Sequence, residues 1–147
     1  MDTDYIDVLG FIKDMEAYKG KSTSACPNTL AWIRCFDDAD EIYAISLTSK
    51  LSGCYNSLRL AKDIYLETHR KKIMIFDTLT TGPELVLIVE KIQELIDKDY
   101  SFEEICDLIY EYKNKTHLMF MLKSLENFAK NGRVNQALAK IVKLLHI

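Results

Sequence analysis

The amino-acid sequence predicts an α/β fold in which a parallel β-sheet carries helices on both faces. Three short segments of consecutive apolar residues, 41–47, 73–76 and 117–122, alternate with longer stretches where apolar residues recur every three or four positions. Alternating strand and helix patterns are typical of parallel α/β sheets, and continuously apolar strands are typical of sheets covered on both sides. Right-handed crossovers would bring the carboxyl ends of the three strands to one edge of the sheet.

Two helices are predicted ahead of the first strand. Segment 7–18 carries apolar side chains at helical spacing, with Asp7 as a candidate N-cap and Gly20 as its end. A segment rich in small hydroxyl residues follows, and Pro27 within it can begin the second helix. The residues of this second helix expected to be buried are Leu30, Ile33 and Phe36, widened by Trp32 and Cys35.

The loop after the first strand carries the main functional signal. Segment 48–57 reads Thr-Ser-Lys-Leu-Ser-Gly-Cys-Tyr-Asn-Ser and leads into a predicted helix. Ligands of open α/β sheets bind where a strand's carboxyl end meets a helix, and free N–H groups with the helix dipole favour an anion there. Gly53 permits close approach of the backbone, and Ser52 is either the helix N-cap or a ligand-facing hydroxyl. The expected buried stripe of the helix is Cys54, Leu58, Ala61 and Tyr65.

The same order of strand, hydroxyl loop and helix is repeated further along. Strand 73–76 ends in Asp77 and Thr78, and Pro83 opens the next helix after a glycine. Ser101 and Glu104 fit the capping box of a further helix. The apolar faces of these two helices are predicted at Leu85, Ile88, Ile92 and Leu95, and at Ile105, Leu108, Ile109 and Tyr112.

The third strand and two helices complete the predicted fold. Strand 117–122 is expected to place its methionines in the core and His117 at the sheet edge opposite the hydroxyl loops. Ser124 is expected to cap a short helix that Asn131 and Gly132 stop, directly before Arg133. A last amphipathic helix is predicted from residue 135.

Composition and charge narrow the function classes. The 147 residues include 19 basic and 22 acidic side chains, a net charge of −3 without a basic tract, which argues against nucleic acid as a partner. No apolar run approaches the roughly 18–20 residues of a membrane span. Residues 1–4 lack the features of a signal peptide, so a cytoplasmic location is expected. Four separated cysteines and three unclustered histidines predict reduced thiols, no metal site and no cofactor.

Four segments resemble the DegV family of bacterial fatty-acid-binding proteins. Ser-Ala-Cys-Pro-Asn at 24–28 resembles the family's Thr-Ser-x-Pro-Ser, and 48–57 resembles Ser-Ser-x-Leu-Ser-Gly-Thr-Tyr-Gln-Ser. Phe-Asp-Thr at 76–78 resembles an Ile-Asp-Ser turn, and Asn-Gly-Arg-Val at 131–134 resembles Gly-Gly-Arg-Ile. The resemblance implies a protein that holds a long-chain fatty acid in a buried tunnel. It also implies that the protein presents the acid to a separate, ATP-dependent fatty acid kinase subunit and is not itself an enzyme.

The resemblance also implies which residues contact the fatty acid's carboxylate. The family's threonine falls on Ser24 and its serine on Ser52, with Gly53 beside it, while Arg133 matches the arginine near the head group. An extra residue precedes Pro27, so Thr23 competes with Ser24 for the ligand role.

The resemblance covers only the N-terminal and central part of a DegV protein. Residues 1–147 are therefore expected to form a single α/β domain that lacks the second lipid-binding domain. Its C-terminal helix, with Leu138, Ile141, Leu144, Leu145 and Ile147, is expected to favour self-association. Two alternatives remain open. The first is a small-molecule hydrolase or transferase that uses a rim serine, and the second is a non-catalytic interaction module that keeps the fold.

Overall fold

A computed structural model describes residues 6–37, 39–119, 121–122 and 124–135. In chain order the elements are α1 (Val8–Ala17), α2 (Thr29–Ile33), β1 (Glu41–Ser46), α3 (Cys54–Leu66), β2 (Lys72–Asp77), α4 (Pro83–Asp97), α5 (Phe102–Lys113) and α6 (Glu126–Lys130).

The chain divides into two compact units. We call Cys26–Phe120 the sheet unit, and Met1–Ala25 together with Met121–Ile147 the terminal unit. The expectation of a single domain stays a prediction.

The sheet unit is built on two parallel strands. β1 pairs with β2 from Glu41 opposite Lys72 to Ser46 opposite Asp77. Successive side chains of a strand point to opposite faces, and the two hydrophobic clusters of this unit follow that alternation. The α3 cluster consists of Phe36, Leu58, Ala61, Tyr65 and Ile73, and the α4–α5 cluster of Met74, Phe76, Ile88, Ile92, Leu95, Ile105 and Ile109. The predicted α/β fold with helices on both faces of a parallel sheet is therefore confirmed.

The apolar stripes of the longer helices agree closely with their sequence patterns. The four buried residues of α3 are the predicted Cys54, Leu58, Ala61 and Tyr65. On α4, Ile88, Ile92 and Leu95 are buried as predicted, but the fourth buried residue is Glu84 while Leu85 is half-buried. Helical periodicity identifies the inward face because that face contacts the sheet along its whole length.

The first two helices agree with prediction only in part. Asp7 caps α1, with its Oδ1 accepting a hydrogen bond from the N–H of Gly10 at 2.9 Å. α2 begins at Thr29 with Asn28 as its N-cap, so Pro27 precedes the helix and does not begin it. The predicted burial of Leu30 and Cys35 is wrong, since Leu30 is exposed on this helix of 5 residues and Cys35 is exposed after its end. Phe36 is buried, as predicted.

The third strand predicted at 117–122 is not formed in the described residues. Neither 117–119 nor 121–122 is in a strand. Met119 and Met121 are 92% and 101% exposed, so the prediction that they belong to the core is wrong.

The reason is that two helices, α4 and α5, follow β2, whereas a single crossover helix normally precedes the next parallel strand. The hydroxyl of Thr116, just after α5, donates to Oε1 of Glu84 in the first turn of α4 at 2.5 Å. The end of α5 therefore lies beside the start of α4, where β2 has just ended. A chain that returns to this edge cannot enter the sheet as a strand parallel to β2. His117 consequently lies beside the hydroxyl loops, and its predicted place at the opposite edge is wrong.

The capping box of α5 allows a simple stability test. The Ser101 side chain accepts from the N–H of Glu104 while the Glu104 carboxylate accepts from the N–H of Ser101. We expect Ser101→Ala to lower the free energy of unfolding by about 1 kcal/mol. Ser101→Thr keeps the hydroxyl and is the matched control. Chemical denaturation measures both variants, and equal losses in the two would contradict the assignment.

Candidate functional site

The loops after β1 and β2 are joined to each other at the carboxyl edge of the sheet. The hydroxyl of Thr78 donates to the carbonyl of Ser46 at 2.9 Å, and the N–H of Thr48 donates to the carbonyl of Thr80 at 2.9 Å. All four side chains are buried. Buried hydroxyls paired in this way fix the backbone of both loops.

Ser52 is not the N-cap of α3, so that sequence-based alternative is wrong, while the alternative of a ligand-facing hydroxyl stays a prediction. The N-cap of α3 is Gly53, which makes no side-chain cap. The Ser52 hydroxyl accepts from the N–H of Cys54, the first helical residue, at 3.2 Å and donates to the Cys54 sulfur at 3.1 Å. Ser52 is half-buried, so part of its side chain faces solvent. It stabilises the helix start without being its N-cap.

Gly53 is where the backbone passes close to another segment. A Cβ built there would lie 3.4 Å from the sulfur of Cys26. The φ of Gly53 is −74°, which any residue can adopt, and 3.4 Å is an ordinary van der Waals distance, so neither the backbone nor the space at this position requires glycine. Ser57 supports the same contact, because its hydroxyl donates to the carbonyl of Pro27 at 2.7 Å.

The first turn of α3 presents N–H groups suited to an anion. The first four N–H groups of a helix have no partner inside it. Cys54 is paired with Ser52, whereas Tyr55 and Asn56 receive no side-chain cap from the residues that the structure describes. With the helix dipole behind them, these two N–H groups can donate hydrogen bonds to a carboxylate or phosphate oxygen.

A buried carboxylate, Glu84, stands behind the second loop. It is 3% exposed and accepts hydrogen bonds from the hydroxyls of Thr80 and Thr116 at 2.5 Å each, while the Lys113 ammonium lies 3.3 Å away. Burial raises the pKa of Glu84, but the hydrogen bonds from Thr116, Thr80 and Lys113 and the charge of Lys113 outweigh it. The pKa of Glu84 is lowered as a result. The carboxylate therefore stays ionised at neutral pH and links α4 to the end of α5.

Sequence reasoning missed this cluster. An acidic residue after Pro83 is common in the first turn of any helix, since the dipole favours it. The spacing of Thr80 and Glu84 was visible in the sequence, but the approach of Thr116 depends on how α5 packs.

A cleft of about 410 Å³ opens at this edge of the sheet unit. Its size falls within the range of about 300–1,000 Å³ seen for small-molecule sites. The residues that form it come from both hydroxyl loops and from the segment after α5. They include Leu51, Leu79, Leu118, Thr48, Lys113 and His117. Apolar walls combined with hydroxyls suit a largely apolar ligand with a polar end, while the Lys113 ammonium is already paired with the Glu84 carboxylate in the same lining.

The remaining predicted site residues belong to the terminal unit. Thr23, Ser24 and Arg133 are exposed. Ser22, next to the first two, is tied to the end of α6, because the Asn131 side chain donates to its carbonyl at 2.9 Å. Within this unit the two candidate segments are therefore in contact, while the predicted meeting of Ser24 with Ser52 stays a prediction.

Among residues 6–37, 39–119, 121–122 and 124–135, no group of three or more His, Cys, Asp or Glu side chains is placed to hold a metal ion. No helix in the same ranges has the length and hydropathy needed to cross a membrane.

Comparison with known proteins gives consistent matches. A family model described as an uncharacterised protein of the DegV family matches residues 2–147. A DegV domain-containing protein of Streptococcus pneumoniae is 41% identical over 143 residues, covering 97% of this chain and 51% of the relative. The chain thus spans about half the length of the curated relatives it matches.

Two solved structures share both sequence and fold with this chain. A DegV family protein from Eubacterium eligens, loaded with heptadecanoic acid, is 39% identical with a TM-score of 0.89, covering 97% of this chain and 52% of its own. The Fatty Acid Kinase (Fak) B3 protein of Streptococcus pneumoniae, loaded with linoleic acid, is 41% identical with a TM-score of 0.90. That match covers 98% of this chain and 52% of its own.

Proposed function

This chain belongs to the DegV family, and from that premise we propose that it contributes to binding a long-chain fatty acid for presentation to an ATP-dependent fatty acid kinase subunit. In this proposal the protein binds and positions the lipid and does not itself catalyse a reaction. The similar structures that hold heptadecanoic acid and linoleic acid support the choice of ligand.

The observation that carries the proposal is the start of α3 together with the cleft beside it. The uncapped N–H groups of Tyr55 and Asn56 offer hydrogen bonds to a carboxylate, and the Ser52 hydroxyl can offer another by turning away from the Cys54 sulfur. Leu51, the residue before Ser52, lines the cleft together with Leu79 and Leu118. A fatty acid needs this combination of a polar end and an apolar path.

We propose that the head group is contacted by the residues that match the family's motifs. These are Ser52 and Gly53, together with Arg133 and either Ser24 or Thr23. A guanidinium pairs with a carboxylate through two parallel hydrogen bonds, so Arg133 would add charge to the neutral donors. Which of Thr23 and Ser24 makes the contact is an open part of the proposal.

We expect the intact native protein to bind palmitic acid at least about tenfold more tightly than methyl palmitate. Esterification removes the negative charge, and a hydrogen bond to a charged group contributes about 1.5–3 kcal/mol. Native mass spectrometry and calorimetry with the two ligands measure the difference. Equal affinities would refute the placement of a carboxylate at these donors.

One observation favours a second function, an ester hydrolase. His117 lines the same cleft as Leu51, next to Ser52. Against it, the Ser52 hydroxyl donates to the Cys54 sulfur rather than to an imidazole, so Ser52 lacks the base that activates a serine nucleophile. Release of palmitate from methyl palmitate in the same experiment would establish hydrolysis, whereas binding neither ligand would favour an interaction module.

Two further proposals concern the setting of the protein. We propose a cytoplasmic location because all four cysteines are free, as is usual in a reducing compartment. We also propose self-association through the apolar C-terminal residues 138–147, which lie outside the described ranges. Sedimentation of the chain at several concentrations tests the second proposal.

A further inference from the structure

The last residue of β2, Asp77, connects the loops that follow both strands. Its Oδ1 accepts a hydrogen bond from the N–H of Leu79 at 3.2 Å and another from the N–H of Ser49 at 3.0 Å. The first bond closes a local turn. The second crosses from β2 to the loop that carries Ser52. We call segment 48–57 the ligand loop. One carboxylate oxygen thus joins the loop after β2 to the start of the ligand loop.

The turn beyond Asp77 is strained and firmly held. Leu79 has a φ of 53°, which is uncommon for a residue other than glycine. The next residue is anchored, because the Thr80 carbonyl accepts from the N–H of Thr48 at 2.9 Å and from the Thr78 hydroxyl at 3.2 Å. Strain of this kind persists where surrounding bonds over-determine the backbone. Asp77 therefore offers the Ser49 N–H an acceptor on a rigid support.

In the part of the chain that the structure describes, the ligand loop is tied to the β2 side twice, by the N–H of Thr48 on the Thr80 carbonyl and by the N–H of Ser49 on Asp77. The bonds within the loop are local, from the N–H groups of Leu51 and Ser52 to the Thr48 carbonyl at 3.1 Å each. They set the shape of the turn but not where it stands relative to β2. Of the two ties to the β2 side, the bond to Asp77 is the one nearer to Ser52, so it orients the loop beyond the point where Thr48 is held.

We propose that Asp77 is a positioning residue for the ligand's head group. By holding the N–H of Ser49, it places the Ser52 hydroxyl and the first turn of α3 so that they converge on one carboxylate. The inference rests on the proposed function, since it assigns a role to Asp77 in binding the fatty acid.

Two variants separate this role from general stability. Asp77→Ser keeps a short acceptor for the local turn at Leu79 but cannot reach Ser49. Asp77→Asn keeps the oxygen that accepts both bonds and removes only the charge, so it is the matched control. The two readouts are amide hydrogen exchange at Ser49 without ligand and the ratio of affinities for palmitic acid and methyl palmitate.

We expect Asp77→Ser to speed exchange at Ser49 at least about tenfold and to lower the acid-to-ester ratio about tenfold, with methyl palmitate affinity unchanged. Asp77→Asn is expected to keep the exchange and the ratio of the unaltered protein. Unchanged exchange in Asp77→Ser would show that Asp77 does not hold the loop. Faster exchange with an unchanged ratio would show that the loop's position does not matter for the head group.

The same measurements distinguish failure of this inference from failure of the proposed function. If the unaltered protein binds no palmitic acid, the proposed function is refuted, and with it the ligand role of Asp77. The exchange rates at Ser49 still decide whether Asp77 holds the loop.

Discussion

Replacing Ser52 with alanine is expected to abolish most acyl-phosphate formation with a partner kinase while leaving lipid bound. A sixteen-carbon chain buries about 14 methylenes at about 0.8 kcal/mol each, on the order of 11 kcal/mol before ordering costs. One hydroxyl bonded to a carboxylate contributes only about 1.5–3 kcal/mol. On the proposed function, we therefore expect the tail to dominate affinity and Ser52 to set where the carboxylate stops. Loss of register at the reacting group costs far more in turnover than in binding.

The competing explanation is that Ser52 only stabilises the start of α3. Its hydroxyl accepts from the N–H of Cys54, so alanine would then cost about 1 kcal/mol of stability and leave phosphorylation nearly intact. Ser49→Ala, an exposed hydroxyl in the same loop, is the matched control. Thermal stability and kinase turnover measured on both variants decide the matter, and normal turnover in Ser52→Ala would end the functional interpretation.

Replacing Glu84 with alanine is expected to give the largest loss of stability, about 3 kcal/mol. The change leaves the Thr80 hydroxyl without its acceptor and Lys113 without its counter-ion, while the Thr116 hydroxyl keeps only the Lys113 carbonyl at 3.1 Å. The loss stays near the lower end for a broken buried pair, because the Lys113 side chain is 20% exposed and can recover some water. Glu90→Ala, exposed on the same helix, is the control. Urea denaturation of both variants measures the difference.

The contribution of Glu84 also depends on pH, and the direction follows from its pKa. Because the pKa is lowered in the folded protein, the ionised form stabilises the fold at pH values above its ordinary value of about 4.3. This stabilisation is lost as the pH falls through the lower, folded-state pKa. We expect the stability gap between the unaltered protein and Glu84→Gln to narrow below about pH 4. A gap that is constant from pH 7 to pH 3 would contradict an ionised Glu84.

Those parts of the fold that depend on local periodicity could be predicted from the sequence. The buried stripe of α3 from Cys54 to Tyr65 and the capping box at Ser101 follow from spacing alone. The sequence places both strands to within a residue or so of their observed ends. It can do so because a run of consecutive apolar residues is typical of a strand that is covered on both faces.

The predictions that are wrong, the third strand and the place of His117, depend on how the helices pack against the sheet. The sequence patterns predict two helices between β2 and residue 117. The predicted third strand did not take into account that the second helix returns the chain to the carboxyl edge of the sheet. The buried Glu84 could not be recognised because its partners, Thr116 and Lys113, are supplied by α5. The hydrogen bond from the N–H of Ser49 to Asp77 could not be recognised either, because it joins two loops that are far apart in the sequence.

The chain's single tryptophan makes one of the two core clusters visible by fluorescence. Trp32 packs against the α3 cluster and not the α4–α5 cluster. Its emission therefore reports the packing of one face of the sheet, whereas circular dichroism averages over every helix. If a variant such as Glu84→Ala loosens only the opposite face, the two optical signals will lose their common midpoint. Coincident midpoints would instead show that both faces melt as one cooperative unit.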